Sequence, residues 1–159
     1  MQIDTLQEAI AAQAAIIRYL ARNGIKDLVG DYGELLIHQS FGGERKSAVH
    51  QGFDILHPEF GRIEVKTRKY ELKEDGSIRK ESRAVGFKGK ENGFDWLAHV
   101  VLDTDFSLVG ACLAPYAQVW PEIERTTGKV GFPTSSKLPG SRLITAEVKA
   151  VQLELGFGI

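Results

Sequence analysis

The sequence is poor in several things, and each shortage removes a class of protein. It has a single cysteine, Cys112, so neither an internal disulfide nor a cysteine-rich zinc site can be built. Set in the apolar run 109–114, that cysteine reads as a small buried hydrophobe rather than a nucleophile. No stretch approaches the roughly eighteen uninterrupted apolar residues of a membrane span. The first eight residues already carry Asp4, Glu8 and two amides, which is not the basic-then-apolar layout of a secretory signal, so the cytoplasm is the expected compartment. A P-loop is missing, and Gly93-Phe94-Asp95-Trp96 offers no phosphate-cradling glycine pattern, which excludes an NTPase. No Ser or Cys sits in a nucleophile-elbow context.

An excess of one charge is missing too. The net charge of −1 argues against bulk attraction to nucleic acid. Its distribution is uneven. Residues 1–61 and 91–159 each carry a net −3, whereas residues 62–90 hold ten basic against five acidic side chains, a net +5. Such a run is most often a solvated face. Here it begins inside the candidate site described below, which gives it a phosphate-tracking reading, with Arg62, Arg68, Lys69, Arg79, Lys80, Arg83, Lys88 and Lys90 as candidate contacts. Tyr70 and Phe87 have the rings to stack on bases, though packing is the stronger reading.

What is present suits one domain over residues 1–159. The length allows a core without covalent staples, and the 43% apolar and 26% charged fractions are those of a globular chain. Residues 5–23 read as an amphipathic helix. Thr5 and Glu8 form a capping box, Leu6, Ile10, Ile17 and Leu20 recur at helical spacing, and Gly24 supplies the stop. A second helix is expected from Asp31 to about Ser40, closed by Phe41-Gly42-Gly43, with residues 44–51 as a polar loop. The period then changes to two. Residues 53–57 and 62–67 alternate apolar with polar as half-buried strands do, separated by the turn signal Pro58-Glu59-Phe60-Gly61. Residues 68–92 form a basic insertion, a protruding hairpin or loop with its tip at Glu74-Asp75-Gly76-Ser77. Residues 96–102 and 106–114 are further strands, joined at Asp103-Thr104-Asp105. Pro115 opens a short helix that Pro121 interrupts near Trp120. Residues 126–141 read as a long loop, and the tail 143–155 fits strand or helix equally. Helices, then a mainly antiparallel sheet, then further helix define an α+β or three-layer α/β plan.

Four Glu-x-Lys pairs occur, Glu44/Lys46, Glu64/Lys66, Glu71/Lys73 and Glu147/Lys149, where chance gives about one. Context selects among them. In a strand Glu64 and Lys66 share a face, opposite Ile63 and Val65. Phe53 and Ile55 are the apolar set of the preceding strand, with Asp54 opposite them. A three-residue loop, Glu59-Phe60-Gly61 with Gly61 left-handed, aligns both apolar sets and places Asp54 across from Lys66 and one diagonal step from Glu64. No other pair has an Asp-bearing strand closely before it.

The run Gly52-Phe53-Asp54-Ile55-Leu56 followed by Glu64-Val65-Lys66-Thr67, with Glu34 on the preceding helix, resembles the PD-(D/E)xK or restriction-endonuclease-like superfamily. The likeness is tight over residues 30–70. It departs from the pattern in having no proline before Asp54 and a charged segment where the family's helix follows Lys66. The resemblance implies a three-layer core with a central mixed sheet flanked by helices. It also implies a Mg²⁺-dependent deoxyribonuclease, with Mn²⁺ able to substitute, acting in restriction, phage defence or DNA repair. Asp54, Glu64 and the backbone carbonyl of Val65 would hold the metal, Glu34 a metal-bound water or a second ion, and Lys66 the attacking water. His38, one turn after Glu34, is a further candidate. DNA is the expected partner, no membrane is implied, and symmetric cutting of both strands would favour a homodimer by analogy.

Blander readings stand beside these. Asp31 and Glu34 suit a capping box, Asp54, Glu64 and Lys66 suit a cross-strand ion cluster, and the whole fold suits an inactive module that binds nucleic acid or a protein. An RNA substrate is a third option, since no pattern here reads a 2′-hydroxyl.

Overall fold

Thr5 caps the first helix as its spacing predicts. Its hydroxyl accepts from the Glu8 N–H while the Glu8 carboxylate accepts from the Thr5 N–H, and α1 runs Leu6–Arg22. The apolar stripe of α1 is left without cover, for none of its residues is buried and Leu6, Ile10 and Ile17 are more than half exposed. Periodicity foretells the helix but not its burial. The computed structural model describes residues 1–46 and 52–156; His50 and the end of the expected loop 44–51 lie outside them.

The second helix, α2 (Leu28–Phe41), starts a turn earlier than Asp31. Asp27 is its N-cap, the carboxylate accepting from the Gly30 N–H at 3.0 Å, so the Asp31–Glu34 capping box does not form. Gly42, at φ +78°, ends it. Part of the expected polar loop is a strand, β1 (Glu44–Arg45), paired with β2 (Ile55–His57).

The hairpin of β2 and β3 (Gly61–Lys69) is antiparallel, but its register differs by two residues from the expected one. Ile55 pairs with Ile63 and His57 with Gly61, so the loop is Pro58-Glu59-Phe60 and Asp54 falls level with Glu64 rather than Lys66. Gly61 is left-handed (φ +73°), and a Cβ there would stand 2.6 Å from an Asp95 oxygen. A shift of two preserves which side each residue faces, so Ile55 and Ile63 still share a core. Phe53 does not join them. It precedes the strand and packs against a second core with Phe87, Phe94 and Leu97.

Within the basic segment, β4 (Glu71–Leu72) and β5 (Ile78–Arg79) form the expected protruding hairpin, turning at Gly76. Residues 80–95 are not part of it. They cross back over the sheet as a strap, held by Ala84 bridging Val130 and by buried Phe87 and Phe94. The chain then enters β6 (Trp96–Leu102) and β7 (Leu108–Pro115). Pro121 does not end the next helix, α3 (Tyr116–Arg125), because buried Val119 and Ile123 on either side of it carry the helix past the lost N–H. The expected long loop contains a short helix, α4 (Phe132–Ser135), and the tail is a strand and a helix, β8 (Arg142–Leu143) and α5 (Thr145–Glu154).

The result is a mixed α/β chain with a six-stranded sheet in the order β1-β2-β3-β6-β7-β8. Every neighbouring pair is antiparallel except β3 and β6. One face of the sheet packs on α2 and α5 through Leu36, Ile37, Ile63, Val65, Ala98 and Val148. The other packs on α3 and the strap through Phe87, Phe94, Leu97, Val119 and Ile123. Among the described residues no helix is long and apolar enough to cross a membrane.

Candidate active site

β3 supplies both a core wall and a charged floor, because alternate residues face opposite ways. Ile63 and Val65 enter the α2-side core. Glu64 and Lys66 face the strap, beside Leu97 and His99 of the parallel neighbour. Glu64 is only 1% exposed, and both of its carboxylate oxygens are occupied. Lys66 Nζ lies 2.9 Å from Oε1 and Lys90 Nζ 3.1 Å from Oε2. The Lys66 ammonium also sits over the Phe87 ring, 5.5 Å from its centre.

Asp54 is fixed just outside the regular ladder. Its N–H donates to the Ile63 carbonyl (2.9 Å), its carbonyl accepts from the Lys46 N–H (2.8 Å), and its carboxylate Oδ2 accepts from the Val65 N–H (2.7 Å). The side chain thus replaces the strand partner that Val65 lacks beyond the end of β2. In a strand the C=O and N–H of one residue point to the same side, so the Val65 carbonyl faces this edge too. Glu34 reaches the region from α2, where Gly33 lies so close to β3 that a Cβ would collide with the Thr67 hydroxyl. Arg45 of β1 pairs with Glu34 at 3.4 Å.

Negative charge is crowded here. Burial first, and the Asp54 charge second, push the Glu34 carboxyl up to about 7, against the pull of Arg45. Burial and the Glu64 charge likewise raise Asp54, opposed by the Val65 N–H and by Lys66 and Lys90. Glu34, Asp54, Glu64, Val65 and Lys66 all line one cavity of about 600 Å³, with Arg68, Lys69 and Lys90 at its walls.

Other candidates are placed elsewhere. Arg62 is tied to Asp95 at 2.9 Å beside a separate hollow. Arg79 pairs with Glu71 on the hairpin and Arg83 with Glu81, at 3.7 and 2.7 Å. Lys80 and Lys88 are exposed outside the cavity lining. Lys69 reaches the cavity wall, but its ammonium donates to the Tyr70 and Thr104 carbonyls. His38 closes the end of α2, its Nε2 3.0 Å from the Gly43 carbonyl. Phe87 is buried, as its packing reading has it. Arg62, Lys66, Arg79, Arg83 and Lys90, half of the ten basic side chains of the segment, are thus held in ion pairs. Sequence reasoning missed Arg45, hidden in an apparent loop, and Thr67, Glu71 and Val85 at the cavity wall. It named Lys90 as a phosphate contact and missed its place on Glu64. The apolar pair Phe87 and Phe94 flanking it was the available signal that this stretch crosses a core.

A second polar group lies behind the site. His99 Nε2 donates to the Ser82 carbonyl (2.8 Å), while Nδ1 lies 2.8 Å from Ser135 Oγ, itself 3.4 Å from Cys112 Sγ. All three side chains are buried, and burial takes the imidazole down to about 4 and the thiol up to about 11. Their hydrogen bonds make a clasp between β6, β7, α4 and the strap.

Among the described residues no three His, Cys, Asp or Glu side chains converge on one metal-sized point. Magnesium does not require three, since it keeps several waters and is held by one or two carboxylates. The crowded, elevated carboxyls beside the Val65 backbone are a donor set that suits a hard cation bound in that manner. Compared with protein-family models and with curated proteins, the chain matches none.

Proposed function

We propose that this is a metal-dependent nuclease of the restriction-endonuclease-like type that hydrolyses phosphodiester bonds in DNA. The observation that carries the reading is the ion pair of buried Glu64 with half-buried Lys66 on one central strand beside Asp54, whose carboxylate is fixed to the backbone between them. Asp54, Glu64 and the Val65 carbonyl would hold Mg²⁺ or Mn²⁺, which supplies charge neutralisation and acidifies a bound water. The chain's own groups do the rest. The Val65 N–H keeps the Asp54 carboxylate turned toward the strand edge. Lys66, held against Glu64 and over Phe87, keeps an ammonium beside the place where the phosphate would gain negative charge. Glu34, raised to about 7, is able to take a proton from water or return one near neutral pH. Arg68 at the cavity wall offers a phosphate a second cation.

The test uses purified protein with plasmid and linear DNA in Mg²⁺ or Mn²⁺. Cleavage is expected to fall by about a thousandfold or more in D54N, E64Q and K66M, each still folded by circular dichroism. Cleavage that persists unchanged in all three would come from a contaminant and would remove these residues from any catalytic role.

A second reading, an inactive module that binds nucleic acid or a protein, is favoured by the saturation of Glu64 with two lysines, an arrangement stable without an ion. It predicts salt-sensitive DNA binding with no cleavage and no metal binding.

A further inference from the structure

Lys90 is built into the site with some care. Its N–H donates to the Phe87 carbonyl (3.0 Å), its carbonyl accepts from the Gly93 N–H (2.8 Å), and the two turns lie between buried Phe87 and Phe94. The ammonium so aimed lands on Glu64 Oε2 at 3.1 Å from 26 residues away in sequence. One carboxylate needs one cation. Glu64 already has Lys66 on Oε1, two residues along its own strand and also held by the Phe87 ring. Among the described residues the Lys90 ammonium is hydrogen-bonded to Glu64 alone, whereas Lys66 is held by the Phe87 ring as well, so the Lys90 contact is the one with less to hold it in place. With an ammonium on each Glu64 oxygen, a divalent ion drawn to that carboxylate would compete with one of the two lysines.

We infer that Lys90 is a built-in counter-cation that a divalent ion must displace from Glu64, and that it thereby sets the metal affinity of the site. This rests on the metal-dependent reading above. Displacement leaves an ammonium free at the cavity wall, where a substrate phosphate oxygen is its natural next partner. Metal loading and substrate capture are then coupled through one side chain.

Titration calorimetry with Mn²⁺ and no DNA tests this on wild type, K90Q and K90R. Loss of the competing charge is expected to tighten Mn²⁺ binding in K90Q by about tenfold, with K90R within about threefold of wild type. Unchanged or weaker binding in K90Q, with the wild type still binding, overturns the inference and leaves the nuclease reading intact. Absence of binding in both overturns the metal reading itself. Should K90Q fail to fold, acylation of wild-type lysines read by mass spectrometry decides the matter. Lys90 should react several-fold faster with saturating Mg²⁺ than without, relative to exposed Lys80, and an unchanged ratio overturns the proposal.

Discussion

The two faces of the central sheet follow different rules. Against α2 and α5 the sheet presents Ile55, Ile63, Val65, Ala98, Val100, Ala111 and Leu113, an apolar surface packed in the ordinary way. Against the strap, α3 and α4 it presents Leu97 and Ala114 together with Glu64, Lys66, His99 and Cys112, so that the Glu64 carboxylate, the His99 imidazole and the Cys112 thiol are buried with named partners. A buried ion pair is rarely retained for stability, since well-packed hydrophobes of like volume often serve as well. One strand thus divides by parity, Ile63 and Val65 entering the apolar core while Glu64 and Lys66 form an ion pair on the opposite face.

The largest expected effect on this contrast comes from filling the close approach on the apolar side. Gly33→Val would drive a side chain into Thr67 and separate α2 from β3, at a cost of about 3 kcal/mol or more read as a urea midpoint. Full wild-type stability in G33V would show that the helix can move away without penalty.

Acid sharpens the contrast on the polar side. His99 titrates near 4 when folded and near 6.5 when unfolded, so it contributes nothing to the pH dependence above about 6.5. As pH falls from there toward 4 the unfolded chain gains the proton first and stability is lost, by about 2 kcal/mol at pH 5. Glu34 works in the opposite sense, because a folded carboxyl raised to about 7 gains its proton before the unfolded one does. Comparing wild type with H99Q isolates the imidazole. The variant should lose less stability between pH 7 and 5, and an identical loss would mean His99 is not the acid-sensitive group.

The smallest effect is expected at α1. Ile10→Gln should change monomer stability by less than about 0.5 kcal/mol in urea, because Ile10 is exposed and the apolar face is closed by α2 and α5 without it. A loss of 2 kcal/mol would place α1 against the core in solution.

What could be read from the sequence was what is decided locally. The Thr5–Glu8 capping box, the alternation of β3 and the turn at Gly76 all arise within a few residues, and each is found where expected. The side of the sheet faced by Glu64 and Lys66 followed from hydrophobic parity, which tolerates a register error of two. The error itself came from the turn, because a left-handed Gly61 suits a loop ending at that glycine as well as a strand beginning there. The contacts that escaped prediction are long-range. Lys90 meets Glu64 across 26 residues and Arg45 meets Glu34 across 11, and no local pattern marks either pair. The start of α2 escaped for a different reason, since Asp27 and Asp31 are equally good caps by type and only packing chooses between them.

The parallel pairing of β3 with β6 has a kinetic consequence. The hairpins β2–β3 and β6–β7 can each form from neighbouring chain, but residues 70–95 must close into a loop before the two can dock edge to edge. Lys90 rides on that closing loop. Assembly of the charged floor therefore belongs to the slow, late stage of folding, and a refolding chain would acquire most of its secondary structure before the Glu64 carboxylate meets its second lysine.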